Sequence, residues 1–335
     1  MAAMAANPGA VVFLAVLTPL ACRPAGPIMS DAQFHGWPSK VLRNAAAEVV
    51  VVPAIGRVME FRLLDAGSKP IFWSHPGIGP ALAPDENGWI NFGGDKAWPA
   101  PQTAWASLVG KGWPPPATFD AVAHAATVEK ECELVLTSPV DPAYGMRVRR
   151  RISVCSTDPV MTIETTYEKV SGAKVKVAVW TIAQLLSPER AFVLLPKRSA
   201  IPDGYRSLLP AAPKDLAVNG RLLSLARDTA QKTMIATDGD ALLWVGGGPD
   251  LMIENRTTAR PGGRPGGKEE WHEGTHSQIY TSSDDAQSYV ELELLGPLHE
   301  LEPGQSASLT SRYTLIKRVE TDPLAEAQRV FASSL

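Results

Sequence analysis

Between Asn91 and Gln102 the chain reads Asn-Phe-Gly-Gly-Asp-Lys-Ala-Trp-Pro-Ala-Pro-Gln, a mixture that packing alone does not call for. Gly93 and Gly94 permit positive φ and close approach of another group. Pro99 and Pro101 exclude helix and stiffen the chain after Trp98, lowering the entropy lost when a ligand is fixed. Asp95 and Lys96 present an acid and a base side by side. Such a pair can hold hydroxyls at one end of a ligand and a carboxylate or phosphate at the other. Trp98 offers a flat apolar wall, with Trp89, Trp105 and Trp113 nearby. Aromatic faces combined with a few fixed polar groups suit a sugar-sized ligand. Asp95, Lys96 and Trp98 are therefore candidate ligand contacts, with an acidic sugar such as a uronic acid preferred over a neutral one. The competing reading is a Pro-rich loop clamped to a sheet by its own tryptophans, where Asp95 and Lys96 satisfy the loop backbone or each other.

A second candidate is His272-Glu273-Gly274-Thr275-His276, which has the H-E-x-x-H spacing of zinc peptidases. That chemistry needs a helix, which brings residues four apart onto one face. Here Gly274 interrupts the motif and the strand-like Ser277-Gln278-Ile279-Tyr280 comes directly after it. On an extended chain the two imidazoles would stand ~13 Å apart, too far to share one zinc. No metal and no cofactor is expected, and Trp271, His272 and His276 are read as ligand contacts, against a solvated loop. His75, His124 and His299 are isolated. Neither a Gly-x-Ser-x-Gly elbow nor a cysteine–histidine pair is present.

The elements that must position these residues are strands. The 335 residues are 45% apolar and 20% charged, with 32 basic and 35 acidic side chains, so a soluble globular chain is expected. No basic run is interleaved with stacking aromatics, which argues against nucleic acid. β-branched runs recur at modest length with turn residues between them, from Glu48-Val49-Val50-Val51-Val52 to the segment 306–317. That pattern is an all-β sandwich or barrel. Residues 76–116 form a Gly- and Pro-dense connection, too long to be structural only. Alternation places Glu129, Glu131 and Glu133 on one face of segment 128–136, and Arg147, Arg149 and Arg151 on one face of segment 146–154. Joined through Ser138–Pro142, the two strands would pair acids with bases on a solvated surface. Lys130 and Arg150 then fall on the apolar face, where a charge must be paired or reach a wet cleft, and Arg150 joins the ligand candidates. Cys132 and Cys155 lie on the two strands several pairs out of register, so both are read as free and buried. Arg260–Gly267 is a low-complexity basic surface loop. Thr321-Asp322-Pro323-Leu324 opens a C-terminal helix whose Leu324, Ala327, Val330 and Phe331 dock on the sheets.

The N-terminal run Val11–Leu20 has the length of a secretory h-region, and Leu20-Ala21-Cys22 is similar to the end of a bacterial lipobox. Export to the periplasm or cell envelope is expected, with a lipid anchor at Cys22 as the route to a membrane. Translation from Met29 would instead leave the protein in the cytoplasm. The organisation expected is a leader over 1–22, a linker over 23–46, a β domain over 47–318 and a helix over 319–335.

Val49–Arg57, a strand ending Pro-x-x-Gly-Arg, resembles the opening of galactose-mutarotase-like domains. Asn91–Lys96 with Trp98 and Pro101-Gln102, Trp180–Gln184, and Tyr289–Leu298 together resemble a bacterial family of unknown function, numbered 4380. The resemblance implies a supersandwich of large antiparallel sheets with a sugar-sized cleft. Aldose epimerases of this fold use a histidine acid and a glutamate base. Glu293 stands where the base is expected and is the one catalytic candidate. The histidine is expected around Thr181–Gln184, where Gln184 is the nearest polar group, and an amide cannot donate a proton as an imidazolium does. Two function classes remain: carbohydrate binding or processing with a saccharide ligand, and a non-catalytic envelope or scaffold protein that keeps the fold. Aldose 1-epimerase activity ranks below both.

Overall fold

The computed structural model describes residues 27–65, 67–256 and 270–335. The leader with Cys22 and the basic loop Arg260–Gly267 lie outside the described residues. Two antiparallel sheets of 11 and 10 strands stack on one another. Their facing sides meet in one hydrophobic core that takes Val49, Phe61 and Leu292 from the first sheet and Ile152, Ile163 and Leu315 from the second. The C-terminal helix Pro323–Val330 is capped by Asp322, whose side chain accepts from the Ala325 N–H. It covers the outer face of the second sheet, where Ala327 and Phe331 pack with Phe192, Leu243 and Val245.

Five consecutive strands of the first sheet carry the site: Asp95–Ala100, Val175–Leu186, Tyr289–Leu295, Ser277–Thr281 and Thr233–Thr237, with Asp95–Ala100 and Thr233–Thr237 at the two ends. Register fixes which side chains share a face. Trp98 is opposite Trp180, Ile182 is opposite both Lys96 and Glu293, and Glu293 is opposite Gln278. Lys96, Trp98, Trp180 and Glu293 lie on the side away from the second sheet. Asp95 and Ala97 alternate with Lys96 and Trp98 and point into the sandwich. The Gly93-Gly94 turn has φ of 87° and 72°. A Cβ at Gly93 would lie 2.1 Å from the Trp73 carbonyl oxygen, and one at Gly94 2.4 Å from that of Val58. The close approach that these glycines permit is thus made by the protein's own backbone.

Three expectations are corrected. The presumed linker contains strands Ile28–Phe34 and Trp37–Arg43, which form one edge of the first sheet. Their apolar signal is thin because an edge pair buries little: Phe34 and Trp37 against Val50, Val52 and Phe92, and Leu42 in the main core. The segment 128–136 is not one strand. The chain turns at Glu131-Cys132, so Ala125–Lys130 is an outer strand beside Glu133–Thr137, and Val128 is exposed. Arg149 pairs with Glu129, Arg151 with both Glu129 and Glu133, and Arg147 turns to Glu168 instead. Glu131 lies in the turn. Finally, Cys132 and Cys155 form a disulfide, with Cα atoms 5.0 Å apart. The hairpin reverses over Pro142–Gly145, later than expected, which brings Cys132 beside Val154 through the Val154 N–H.

This disulfide closes a loop of sequence separation 23 between neighbouring strands. Cys132→Ser or full reduction should lower stability by about 2–4 kcal/mol. Thermal melts with and without reductant check this, and coincident melts would contradict it.

Candidate functional site

A cleft of about 390 Å³ lies between the outer face of the first sheet and the long connection 76–116. Trp98, Trp180, Tyr280, Tyr289, Glu291 and Glu293 line it from the strands, and Trp89 and Trp113 from the connection. The indoles meet edge to face. Ring centroids of Trp98 lie 5.5 Å from Trp180, 5.8 Å from Trp113 and 6.3 Å from Trp89. Trp105 is fully buried behind them and donates to the Pro99 carbonyl at 2.8 Å.

Each lining indole of the strands is aimed by a carboxylate. Asp120, at the end of the short helix Ala117–Asp120, accepts from Trp98 Nε1 at 2.9 Å and from Trp89 Nε1 at 3.0 Å. The same carboxylate accepts from Arg57 at 2.6 Å, and Arg57 also donates to the Gly93 carbonyl at 2.7 Å. Arg57 is fully buried, and Gly56 before it leaves room for the His124 ring. Asp120 thus couples the strand opening at Arg57, the glycine turn and two indoles. Sequence reading singled out Arg57 within Pro-x-x-Gly-Arg but missed Asp120, because no motif surrounds Asp120 and its partners lie 22 to 63 residues away in sequence.

Glu293 is 1% exposed. Its Oε2 accepts from Trp180 Nε1 at 2.7 Å, while its Oε1 has no partner among the described residues, and the side chain lines the cleft. Burial, and then the neighbouring charge of Glu291, hold the Glu293 carboxyl well above the usual carboxylate range, against the opposing pull of Trp180 and Lys96. The protonated form persists where an ordinary glutamate is ionised. Tyr280, across the strand pair from Glu291, has its phenol pushed up to about 12, chiefly by burial and then by Glu291.

The other predicted residues divide between three places. Lys96 lies one layer beneath the cleft wall, 1% exposed, bound to Glu291 at 3.2 Å and set 4.5 Å from the Trp98 ring centroid and 5.6 Å from that of Trp89. Burial lowers its ammonium from the ordinary lysine value, against Glu291. Gln184 is buried on the same face, within reach of the Tyr289 hydroxyl but outside a well-formed hydrogen bond. Asp95 and Arg150 do not reach the cleft. Asp95 points between the sheets, where Arg150 and the Tyr313 hydroxyl both donate to its carboxylate, and Arg150 also donates to the Asp95 carbonyl at 3.0 Å. Strand alternation decides this outcome, since Asp95 and Lys96 must face opposite ways. Trp271, His272 and His276 lie outside the cleft lining. His272–Gly274 is a single 3-10 turn, and His276 stacks on Trp271 with centroids 3.8 Å apart while its Nδ1 meets Asp240 at 3.0 Å.

No family model matches the chain, and the curated proteins contain no match to it. Solved structures do match. A galactose mutarotase-like protein from Lactobacillus casei superposes with a TM-score of 0.54 at 8% identity, over 86% of this chain and 99% of that one. A galactose mutarotase related enzyme from Lactobacillus acidophilus gives 0.51 at 8% identity, over 86% and 97%. A TPR-domain containing protein from Parabacteroides distasonis gives 0.55 at 14% identity over 89% of this chain, which spans about half (53%) of that protein. This chain has the galactose-mutarotase-like fold. At such identities the likeness concerns the fold, and the chemistry rests on this chain's own cleft. The histidine expected around Thr181–Gln184 is absent: the positions there that share the Trp180 face are Ile182 and Gln184.

Two outcomes are expected. Asp120→Ala strands the buried Arg57 charge and frees two indoles, so it should cost about 3–5 kcal/mol, read from the denaturant midpoint. An unchanged midpoint would mean that Asp120 is not the hub described. Glu293 gives a pH signature. Its folded-state pKa is raised, so its contribution is complete below the unfolded value and is lost as pH rises through the folded one, at a limiting slope of about 1.4 kcal/mol per pH unit. Glu293→Gln removes that loss. The melting difference between variant and parent should therefore move in the variant's favour from mildly acid to alkaline pH, and a pH-independent difference would refute the assignment.

Proposed function

We propose that the protein binds a saccharide in the indole-walled cleft, with Glu293 as its polar anchor. The observation that carries this reading is the unpartnered Oε1 of a buried Glu293, set beside Trp98 and Trp180 in an open cleft. A buried polar atom without a partner is costly, and a sugar hydroxyl would supply one. Indole faces cover the apolar side of a pyranose ring. Glu293 Oε1 can bond a sugar hydroxyl while Trp180 holds Oε2.

Binding without ring opening is favoured over epimerisation. Ring opening needs an acid and a base on opposite sides of the sugar, and the stretch expected to supply the acid carries Trp180, Ile182 and Gln184. The uronic-acid preference loses its basis, because Lys96 is bound to Glu291 beneath the wall and Asp95 faces the other way. We also place the protein in the cell envelope. The apolar run Val11–Leu20 and the Cys132–Cys155 disulfide both suit an exported chain, since disulfides persist in oxidising compartments.

Thermal-shift screening against neutral mono- and oligosaccharides, followed by calorimetry, tests the reading. Trp113, 37% exposed, is the most exposed of the indoles that line the cleft, so its truncation disturbs buried packing least among them. Trp113→Ala should weaken binding about tenfold or more, and Glu293→Gln should also weaken it. Equal binding by parent and both variants would put the site elsewhere.

A further inference from the structure

Acidic side chains outnumber basic ones along the cleft. Asp85, Asp284, Glu291 and Glu293 line it, against Lys232 as the one cationic lining residue among the described residues. Lys96 offsets Glu291 from beneath but does not line the cleft. The walls carry the second observation. The Lys96 ammonium already sits over the Trp98 and Trp89 rings, at 4.5 and 5.6 Å from their centroids, so this indole cluster accommodates a cation on one side. Trp113 and Trp180 extend the same cluster on the cleft side. A ring quadrupole attracts an ammonium more strongly as water is excluded. The third observation is the Oε1 of Glu293, a side chain nine-tenths buried or more that lines this space, which has no partner among the described residues.

We infer that the cleft selects a saccharide carrying a protonated amine, held between the indole faces and the carboxylates of Asp284, Glu291 and Glu293. This deepens the saccharide-binding reading above and rests on it. A neutral hydroxyl could satisfy Glu293 Oε1 equally well, so the discrimination comes from the carboxylates and the π faces, not from that single hydrogen bond. An ammonium beside Glu293 stabilises its carboxylate, so the proton it carries in the empty cleft leaves for solvent when the ligand enters. A uronic acid would instead bring a further negative charge among the same side chains.

The test is calorimetry on the full chain, at mildly acid pH and constant ionic strength, with four probes. These are a glucosamine tetramer, its fully N-acetylated counterpart, a galacturonic acid tetramer, and spermidine as an amine without a sugar. The glucosamine tetramer should bind roughly tenfold tighter than the N-acetylated form, about 1.4 kcal/mol, with the uronate and spermidine weaker than both. Asp284→Asn should narrow that gap by weakening the glucosamine tetramer more than the N-acetylated form. Equal affinity for the amino and N-acetylated forms, or tightest binding of the uronate, would overturn the amine selection and leave saccharide binding standing. Spermidine binding as tightly as the glucosamine tetramer would overturn the saccharide part. Failure of every sugar to bind would overturn the underlying reading as well.

Discussion

The cleft depends on an interaction that it does not contain. Asp95 enters the space between the sheets and is held there by Arg150 and Tyr313 of the opposite sheet, with all three side chains buried. Burying an ion pair costs desolvation, and removing one partner leaves a stranded charge, so the pair tolerates little displacement. Asp95 is therefore locked inward, and strand alternation sends Lys96 and Trp98 outward. A slip of one residue would bury Lys96 without a counter-ion and turn Trp98 away from the cleft. The Tyr167 hydroxyl, donating to the Trp98 carbonyl at 2.7 Å, secures the same strand from the second sheet.

Carboxylates then orient the indoles. Asp120 holds Trp89 and Trp98, and Glu293 holds Trp180, each through an indole N–H. A buried indole needs an acceptor for its one donor, and for these three the acceptor belongs to an acid. The walls are thus set before any ligand arrives, which reduces the ordering cost of binding. Glu293 differs from Asp120 in keeping one oxygen unpartnered. Asp120 is consumed by structure, while Glu293 retains bonding capacity toward the cleft.

Much of this was legible in the chain itself. Short alternating β-branched runs, turn residues and a capped C-terminal helix announce an all-β sandwich, because burial on one face imposes period two on any strand. The unusual composition of Asn91–Gln102 marked the strand that carries Trp98, and the long connection after Pro76 marked one wall. The tyrosine and glutamates of Tyr289–Leu295 could be placed on a strand by the same alternation. The strands Ile28–Phe34 and Trp37–Arg43 were not legible, since an edge pair buries too few apolar side chains to show a period.

Tertiary structure alone decided which polar residues face the cleft. Asp95 and Lys96 are adjacent in sequence, yet their surroundings differ because the sheet separates them. Arg150 satisfies its charge across the sandwich, and that partner lies 55 residues away. The hub at Asp120 is assembled from three distant segments and leaves no local pattern. The Cys132–Cys155 bond turned on where the hairpin reverses, which the ladder hydrogen bonds set and local composition misplaced. Periodicity is a local property that a sequence carries by itself, whereas pairing of buried charges and donors depends on register between strands, and only the packed sheets fix that.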